Sequence, residues 1–316
     1  MSEKLDSLDA LYRAFDALSM EGGWHRRSPA LWPEPRKNFL PYRWRFEDVK
    51  PILDAAGRLV DTRMAERRNL TMTNPVEGNI YPTVRTLVAA YQLILPGETA
   101  SCHRHTPNAL RIILEGEGTY TVVNGTRVEM RPGDVLLTPS WCWHSHENVG
   151  PNDCYWVDIL DVPLVHLLEP MFYERHPQEL EPNPVDAAQS PIAFRWEDSL
   201  ARLAQAQPPA HGMAEREIEL GAPAAMASTA LHVQRMNAGF ASATARTTAN
   251  SVFTVVEGRG RSVIDGEVFE WSKGDVISVP AWRPYRHEAF DTSYLVRASD
   301  EPLMRALGLL RTESPQ

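Results

Sequence analysis

The feature that most restricts this chain is a repeat inside it. Leu114-Glu115-Gly116-Glu117-Gly118 returns as Val256-Glu257-Gly258-Arg259-Gly260, Asn124-Gly125 as Asp265-Gly266, and Pro132-Gly133-Asp134-Val135 as Lys273-Gly274-Asp275-Val276. Further upstream, Tyr42-Arg43-Trp44 is echoed by Phe194-Arg195-Trp196. A self-match over about one domain's length requires two similar units in one chain. Within each copy the Gly-bearing dipeptide sits between β-prone runs. Thr119-Tyr120-Thr121-Val122-Val123 and Thr126-Arg127-Val128-Glu129-Met130 flank Asn124-Gly125, which is a hairpin signal.

Val135-Leu136-Leu137-Thr138 and Tyr155-Trp156-Val157-Asp158-Ile159 read as further strands. Many short strands at this turn spacing predict an all-β sandwich or barrel. Helices are few. Leu5, Leu8, Tyr12 and Phe15 recur at helical spacing over 4–20, a second helix is expected over 46–58, and a third over 195–206, before Pro208-Pro209. Between the repeats, 177–191 carries Pro177, Pro182, Pro184 and Pro191 and reads as a linker or extended crossing segment.

Composition removes several function classes. The net charge of −9 over 316 residues argues against a basic nucleic-acid face. No apolar run approaches the ~20 residues of a membrane helix. The acidic, polar start Met1-Ser2-Glu3-Lys4-Leu5-Asp6 has no signal-peptide pattern. Cys102, Cys142 and Cys154 are too few and too irregular for a disulfide framework. The expectation is a cytoplasmic protein of a reducing compartment.

The chemistry concentrates in the first repeat. Gly97 is followed after five residues by His103-Arg104-His105; Gly133 is followed after five by Pro139, then by His144 and Asn148. On a strand, residues two apart share a face, so His103 and His105 point one way and Cys102 and Arg104 the other. A third imidazole, His144, from another strand completes one side of a metal site. The plain alternative is three buried, hydrogen-bonded histidines, but both motifs in register favour ligands. Imidazole suits zinc, copper, iron and nickel.

This spacing resembles the two motifs of the cupin family. The glycines, Pro139, the three histidines and Asn148 match. Trp141 stands where that family has glycine, and Ala109 and Leu110 stand where its glutamate ligand falls. The resemblance narrows on Leu31-Trp32-Pro33-Glu34-Pro35, on the run from His103 through Arg111, on Glu115-Gly116-Glu117-Gly118, and on the segment Thr138 to His146. These look like gentisate and salicylate 1,2-dioxygenases.

The resemblance implies an all-β dominated bicupin, two jelly-roll β-barrels with short N-terminal and linker helices. The strand pattern along the chain divides it into a helical arm at 1–80, a metal-bearing cupin at 81–176, a linker with a short helix at 177–224 and a metal-free cupin at 225–316. The resemblance also implies iron(II), a homotetramer, and dioxygen with an aromatic 2-hydroxycarboxylate as reactants. The substrate is expected to chelate through its carboxylate and adjacent phenolate oxygen, and the bond between the carbons bearing them breaks.

The second repeat tests this. Aligning Glu257 with Glu115 sets Ala245-Arg246-Thr247 under His103-Arg104-His105; aligning Gly274 with Gly133 sets Tyr285 under His144. The second barrel is therefore expected to hold no metal. For the first barrel, the resemblance makes Arg111 a carboxylate clamp or an aid to oxygen. Its guanidinium fork suits a carboxylate. Arg111 is also expected to share strand parity with His105. His146 is expected to hydrogen-bond substrate, or otherwise to be a rim histidine, with His287 as its counterpart.

Gln92 and Asp158 are expected near substrate or beside the ligands, since metal-bound histidines commonly give their other N–H to a carboxylate or carbonyl. Arg67 or Arg68 is a further clamp candidate. Val88 and Ala90 share a face with Gln92, turned by the resemblance towards the substrate. Relatives often carry a bulky aromatic at the position of Val88, which makes a wider pocket the expectation. Cys102, Cys142 and the tryptophans are assigned to packing. A cupin isomerase or decarboxylase, which would usually keep the missing glutamate, and a non-catalytic binding bicupin are the competing classes.

Overall fold

Both repeat dipeptides turn as their sequence demands. In the computed structural model Asn124 and Gly125 have φ of 47° and 75°, and Asp265 and Gly266 have 52° and 88°. Positive φ at both central positions is the type I′ requirement, which matches strand twist. The structure describes residues 5–25, 30–187, 190–221 and 226–314. Lys4, where the first helix was expected to begin, and the expected boundary at 224 and 225 lie outside them.

The chain forms two units, residues 1–36 and 37–316. In the first, helix α1 (Leu8–Ala17) is capped by Ser7, whose hydroxyl accepts the Ala10 N–H at 3.1 Å. The guanidinium of Arg36 lies 3.8 Å over the Trp32 ring. No described helix is long and apolar enough to cross a membrane.

The second unit holds both barrels. It begins with β1 (Tyr42–Trp44), α2 (Phe46–Leu59) and β2 (Arg68–Thr71). The first barrel follows as β3 (Val88–Ile94), β4 (Thr99–His105), β5 (Ala109–Glu115), β6 (Thr119–Val123), β7 (Thr126–Met130), β8 (Val135–Thr138), β9 (His144–Asn148) and β10 (Cys154–Leu160). The connection comprises α3 (Val162–Leu168), β11 (Tyr173–Arg175), β12 (Val185–Asp186), β13 (Ala193–Phe194), α4 (Trp196–Gln205) and β14 (Arg216–Glu219). The second barrel contains β15 (Ala230–Met236), β16 (Arg246–Thr247), β17 (Ser251–Glu257), β18 (Arg259–Ile264), β19 (Glu267–Ser272), β20 (Val276–Val279), β21 (Tyr285–Ala289) and β22 (Ser293–Ser299).

Two sheets build the first barrel, in the orders β13-β8-β5-β10-β3-β2 and β11-β4-β9-β6-β7-β12. The second barrel has β1-β20-β17-β22-β15-β14 facing β19-β18-β21. The arm at 1–80 and the linker are thus not only helical: both supply edge strands. They are also exchanged. β1, ahead of the first barrel, pairs with β20 of the second, and β13, ahead of the second, pairs with β8 of the first.

The repeated Gly-Asp seats both exchanged arms. A Cβ on Gly133 would lie 2.5 Å from the Trp196 ring, and one on Gly274 2.6 Å from the Phe46 ring. Only glycine lets each arm's aromatic sit that close. The neighbouring Asp134 accepts the Trp196 N–H at 2.8 Å, and Asp275 accepts that of Phe46 at 2.9 Å.

The sheets containing β5 and β17 bury both faces of their central strands. Outward residues such as Leu110, Ile112 and Val157 join Val233, Val252 and Val296 in one core shared by the barrels. This is why β5 and β17 are mostly apolar on both faces rather than alternating. Inside the first barrel, Ile94, Ile113, Val128, Met130, Leu136 and Trp156 form a separate apolar cluster. It fills one part of the interior and leaves the polar side chains together in another.

Candidate active site

Two facing sheets supply the polar half of the first barrel. One carries His103 and His105 on β4 and His144 and His146 on β9; the other carries Val88, Ala90 and Gln92 on β3, Arg111 on β5 and Asp158 on β10. Within the first, His103 lies opposite His144 in the antiparallel ladder. Their ring centroids are 4.3 Å apart, and His105 lies 4.8 Å from His144.

The three rings fit a metal. Each offers a ligand atom, and those atoms lie within 4.8 Å of one another. Nδ1 of His103, His105 and His144 meets the backbone oxygen of Ser101 at 3.0 Å, Pro107 at 2.8 Å and Cys142 at 3.0 Å. A carbonyl only accepts, so Nδ1 carries the proton and Nε2 is left as the donor atom. Nε2 of His144 is buried without a partner. Burial holds the three rings neutral, with His103 brought down to about 4 and His144 well below the usual range. Such a set is a three-histidine metal-binding site.

In the second barrel, Ala245 bridges Tyr285 as His103 pairs with His144, which bears out the alignment of the repeats. Among the described residues no other group of three such side chains converges.

Several expectations need correction. Arg111 does not share a strand with His105; it reaches the site from the facing sheet. Parity therefore says nothing about it. It is 1% exposed, and Nη1 donates to Thr138 Oγ1 at 2.5 Å. Burial pulls its pKa down and Asp158 pulls it up. Asp158 does not orient a histidine, because all three ligand Nδ1 atoms are taken by carbonyls. It accepts the Trp156 indole N–H at 2.9 Å and lies 3.3 Å from Arg111 Nε.

His146 is not at a rim. It is fully buried, both ring nitrogens lack partners, and burial with Arg111 nearby keeps it neutral. Arg67 faces the site and donates from Nε to Gln92 Oε1 at 3.1 Å, whereas Arg68 is committed to Glu98 at 2.8 and 2.7 Å.

Register places the remaining residues. Leu160 pairs with Val88, Asp158 with Ala90 and Trp156 with Gln92, so Val88, Ala90 and Gln92 share the face of Asp158. The motif residue Asn148 ties down a loop, donating to Asn152 and accepting from Gly150. Cys102 and Cys154 are buried, and burial pushes their thiols up to about 11 and about 12. Both are packing groups.

Trp141 keeps the left-handed backbone of the glycine it replaces, with φ of 63°. Arg104 stacks 4.4 Å over its ring. Trp282 repeats this, with φ of 62° and Arg246 at 4.5 Å.

Three residues near the site escaped the sequence reading. Thr138 and Trp156 hold Arg111 and Asp158. Tyr173, on β11, pairs with His105, and its ring centroid lies 5.4 Å from that of His103. Trp156 had a findable signal, since it shares a strand face with Asp158. Tyr173 had none.

Comparison with known proteins agrees with this geometry. The family model described as Cupin domain matches 90–160 and 232–296, one stretch in each barrel. Gentisate 1,2 dioxygenase 1 of Aquipseudomonas alcaligenes is 35% identical over 91% of this chain and 91% of its own length. 5-aminosalicylate 1,2-dioxygenase of a Comamonas species is 33% identical over 97% of this chain and 90% of its own. The crystal structure of salicylate 1,2-dioxygenase from Pseudaminobacter salicylatoxidans superposes with a TM-score of 0.89 at 30% identity, covering 99% of both chains. That enzyme has also been solved as adducts with gentisate. The repeat, the three-histidine site and the full-length similarity place this bicupin in the gentisate/salicylate 1,2-dioxygenase family of ring-cleaving enzymes.

Proposed function

We propose that the chain binds one iron(II) through His103, His105 and His144 and inserts dioxygen across the C1–C2 bond of a 2-hydroxybenzoate. The candidates are gentisate, salicylate and 5-substituted salicylates such as 5-nitrosalicylate. The observation that carries this reading is the three-neutral-ligand site facing a buried, cationic Arg111. Three imidazoles leave the charge of a divalent ion uncompensated, which favours a substrate that chelates as a dianion. Iron(II), when bound, would supply open coordination positions and a redox-active centre through which electrons of the substrate reach dioxygen.

The protein's own residues orient and neutralise. Arg111 takes the carboxylate, helped by Arg67 through Gln92. His146 donates or accepts a hydrogen bond beside the reacting carbons, and Asp158 lies beside Arg111 as its counter-charge. Orientation and fixed charge are the protein's share of the rate. The small side chains of Val88 and Ala90 leave room for a ring substituent.

Oxygen uptake with a panel of hydroxybenzoates tests the reading. Compounds bearing both carboxylate and ortho hydroxyl should be consumed, and benzoate and phenol should not. Equal turnover of benzoate would remove the chelation requirement and the proposal with it.

A further inference from the structure

Arg111 is a buried cation beside a buried carboxylate, yet the two do not form a fork. Nε lies 3.3 Å from Asp158 Oδ1 but lacks hydrogen-bond geometry and is left unpartnered. Left to itself, a guanidinium next to a carboxylate forms two parallel N–H···O bonds. Two other contacts prevent this. The Trp156 indole N–H holds Asp158 Oδ1 at 2.9 Å, and Thr138 Oγ1 takes Arg111 Nη1 at 2.5 Å from the other side. Nη2 makes no hydrogen bond with any described residue, so the N–H groups of that nitrogen are unspent.

Trp156 is suited to this task by where it sits. Its ring belongs to the apolar cluster of the barrel interior, and it has no exposed surface. Its ring centroid also lies 5.7 Å from that of His146. A buried indole N–H needs an acceptor, and the one it has is Asp158. The tryptophan thus joins the apolar half of the barrel to the polar half at a single atom.

We infer that Trp156 and Thr138 are positioning residues that keep Asp158 and Arg111 from pairing as a fork, leaving Nη2 of the guanidinium free for the substrate carboxylate. The inference rests on the reading of Arg111 as the carboxylate clamp. Freed from the indole, Asp158 would pair with Arg111 through both oxygens and withdraw it from the site. The charge of Asp158 would then oppose substrate binding, while in the native arrangement it only tunes the cation.

The test measures salicylate affinity in the iron-loaded protein without oxygen, with metal content and Tm recorded for every variant. Trp156→Phe keeps the ring and deletes the N–H. Its salicylate Kd should rise about tenfold, the scale of one charge-assisted hydrogen bond, with metal content unchanged. Adding Asp158→Asn in that background should recover most of the loss. Thr138→Val, which keeps the side-chain shape, should weaken binding several-fold, and Thr138→Ser should bind as wild type.

A loss in Trp156→Phe that Asp158→Asn does not relieve would mark a packing role and overturn the inference. So would wild-type affinity in both Trp156→Phe and Thr138→Val while Arg111→Ala binds weakly. If Trp156→Phe does not fold, the Thr138 pair decides by itself. Wild-type affinity in Arg111→Ala would instead refute the clamp, and the inference falls with it.

Discussion

The backbone N–H of Phe46 is held by the carboxylate of Asp275, 229 residues away, at 2.9 Å. Trp196 and Asp134 repeat the contact at 2.8 Å. Each barrel is therefore closed by the arm that leads into the other. A second exchanged pair reinforces this. Asp161 accepts from Asn108 of its own barrel and from Ser228 ahead of the second, while Asp300 accepts from Asn250 and from Thr86 ahead of the first.

Such reciprocal latches predict joint unfolding. Calorimetry should show one transition, because neither barrel keeps its edge once the other opens. Asp275→Ala removes a buried acceptor and should cost about 2–3 kcal/mol in urea unfolding, while metal content stays intact. Two separate transitions in wild type would show that the exchange is not a stability linkage.

Removing one ligand should empty the metal site. His144→Ala leaves two imidazoles, and elemental analysis should find the metal lost together with activity. Anomalous scattering from wild type should show metal only near His144 and none near Tyr285, where Ala245 and Thr247 replace the other ligands. Near-stoichiometric metal in the variant would refute the assignment.

Val88 should set pocket width. It is 7% exposed and shares a face with Ala90 and Gln92. In Val88→Trp, kcat/KM should fall at least tenfold for 5-nitrosalicylate and 1-hydroxy-2-naphthoate relative to salicylate, a ratio of about 1.4 kcal/mol. Equal losses on every substrate would show that this strand does not select.

His287 should make the fold acid-sensitive. It is fully buried and bonded to Ser262, and burial brings it down to about 3 from its ordinary 6.5. The unfolded chain binds the proton first, so stability is full above pH 6.5 and declines as pH falls towards 3. The Tm of His287→Gln should therefore fall less steeply than that of wild type between pH 6.5 and 4. Parallel slopes would assign the acid sensitivity elsewhere.

The sequence by itself determined what local pattern encodes. The Asn124-Gly125 and Asp265-Gly266 hairpins follow from φ preferences, and the repeat follows from self-similarity. The pairing of His103 with His105 follows from the two-residue period of a strand, and the loss of the second site from Ala245 and Tyr285. Only the tertiary structure decided which sheet faces which. It brought Arg111 opposite the histidines from a different strand, gave Asp158 to Trp156 rather than to a ligand, and sent the ligand Nδ1 atoms to backbone carbonyls. It also crossed the two arms, although both Gly-Asp pairs and both aromatic arms are plain in the chain. The physical reason is that strand periodicity orients side chains relative to their own strand. Which distant strand lies across the barrel is set by burying outward and inward faces at once, and no local window carries that information.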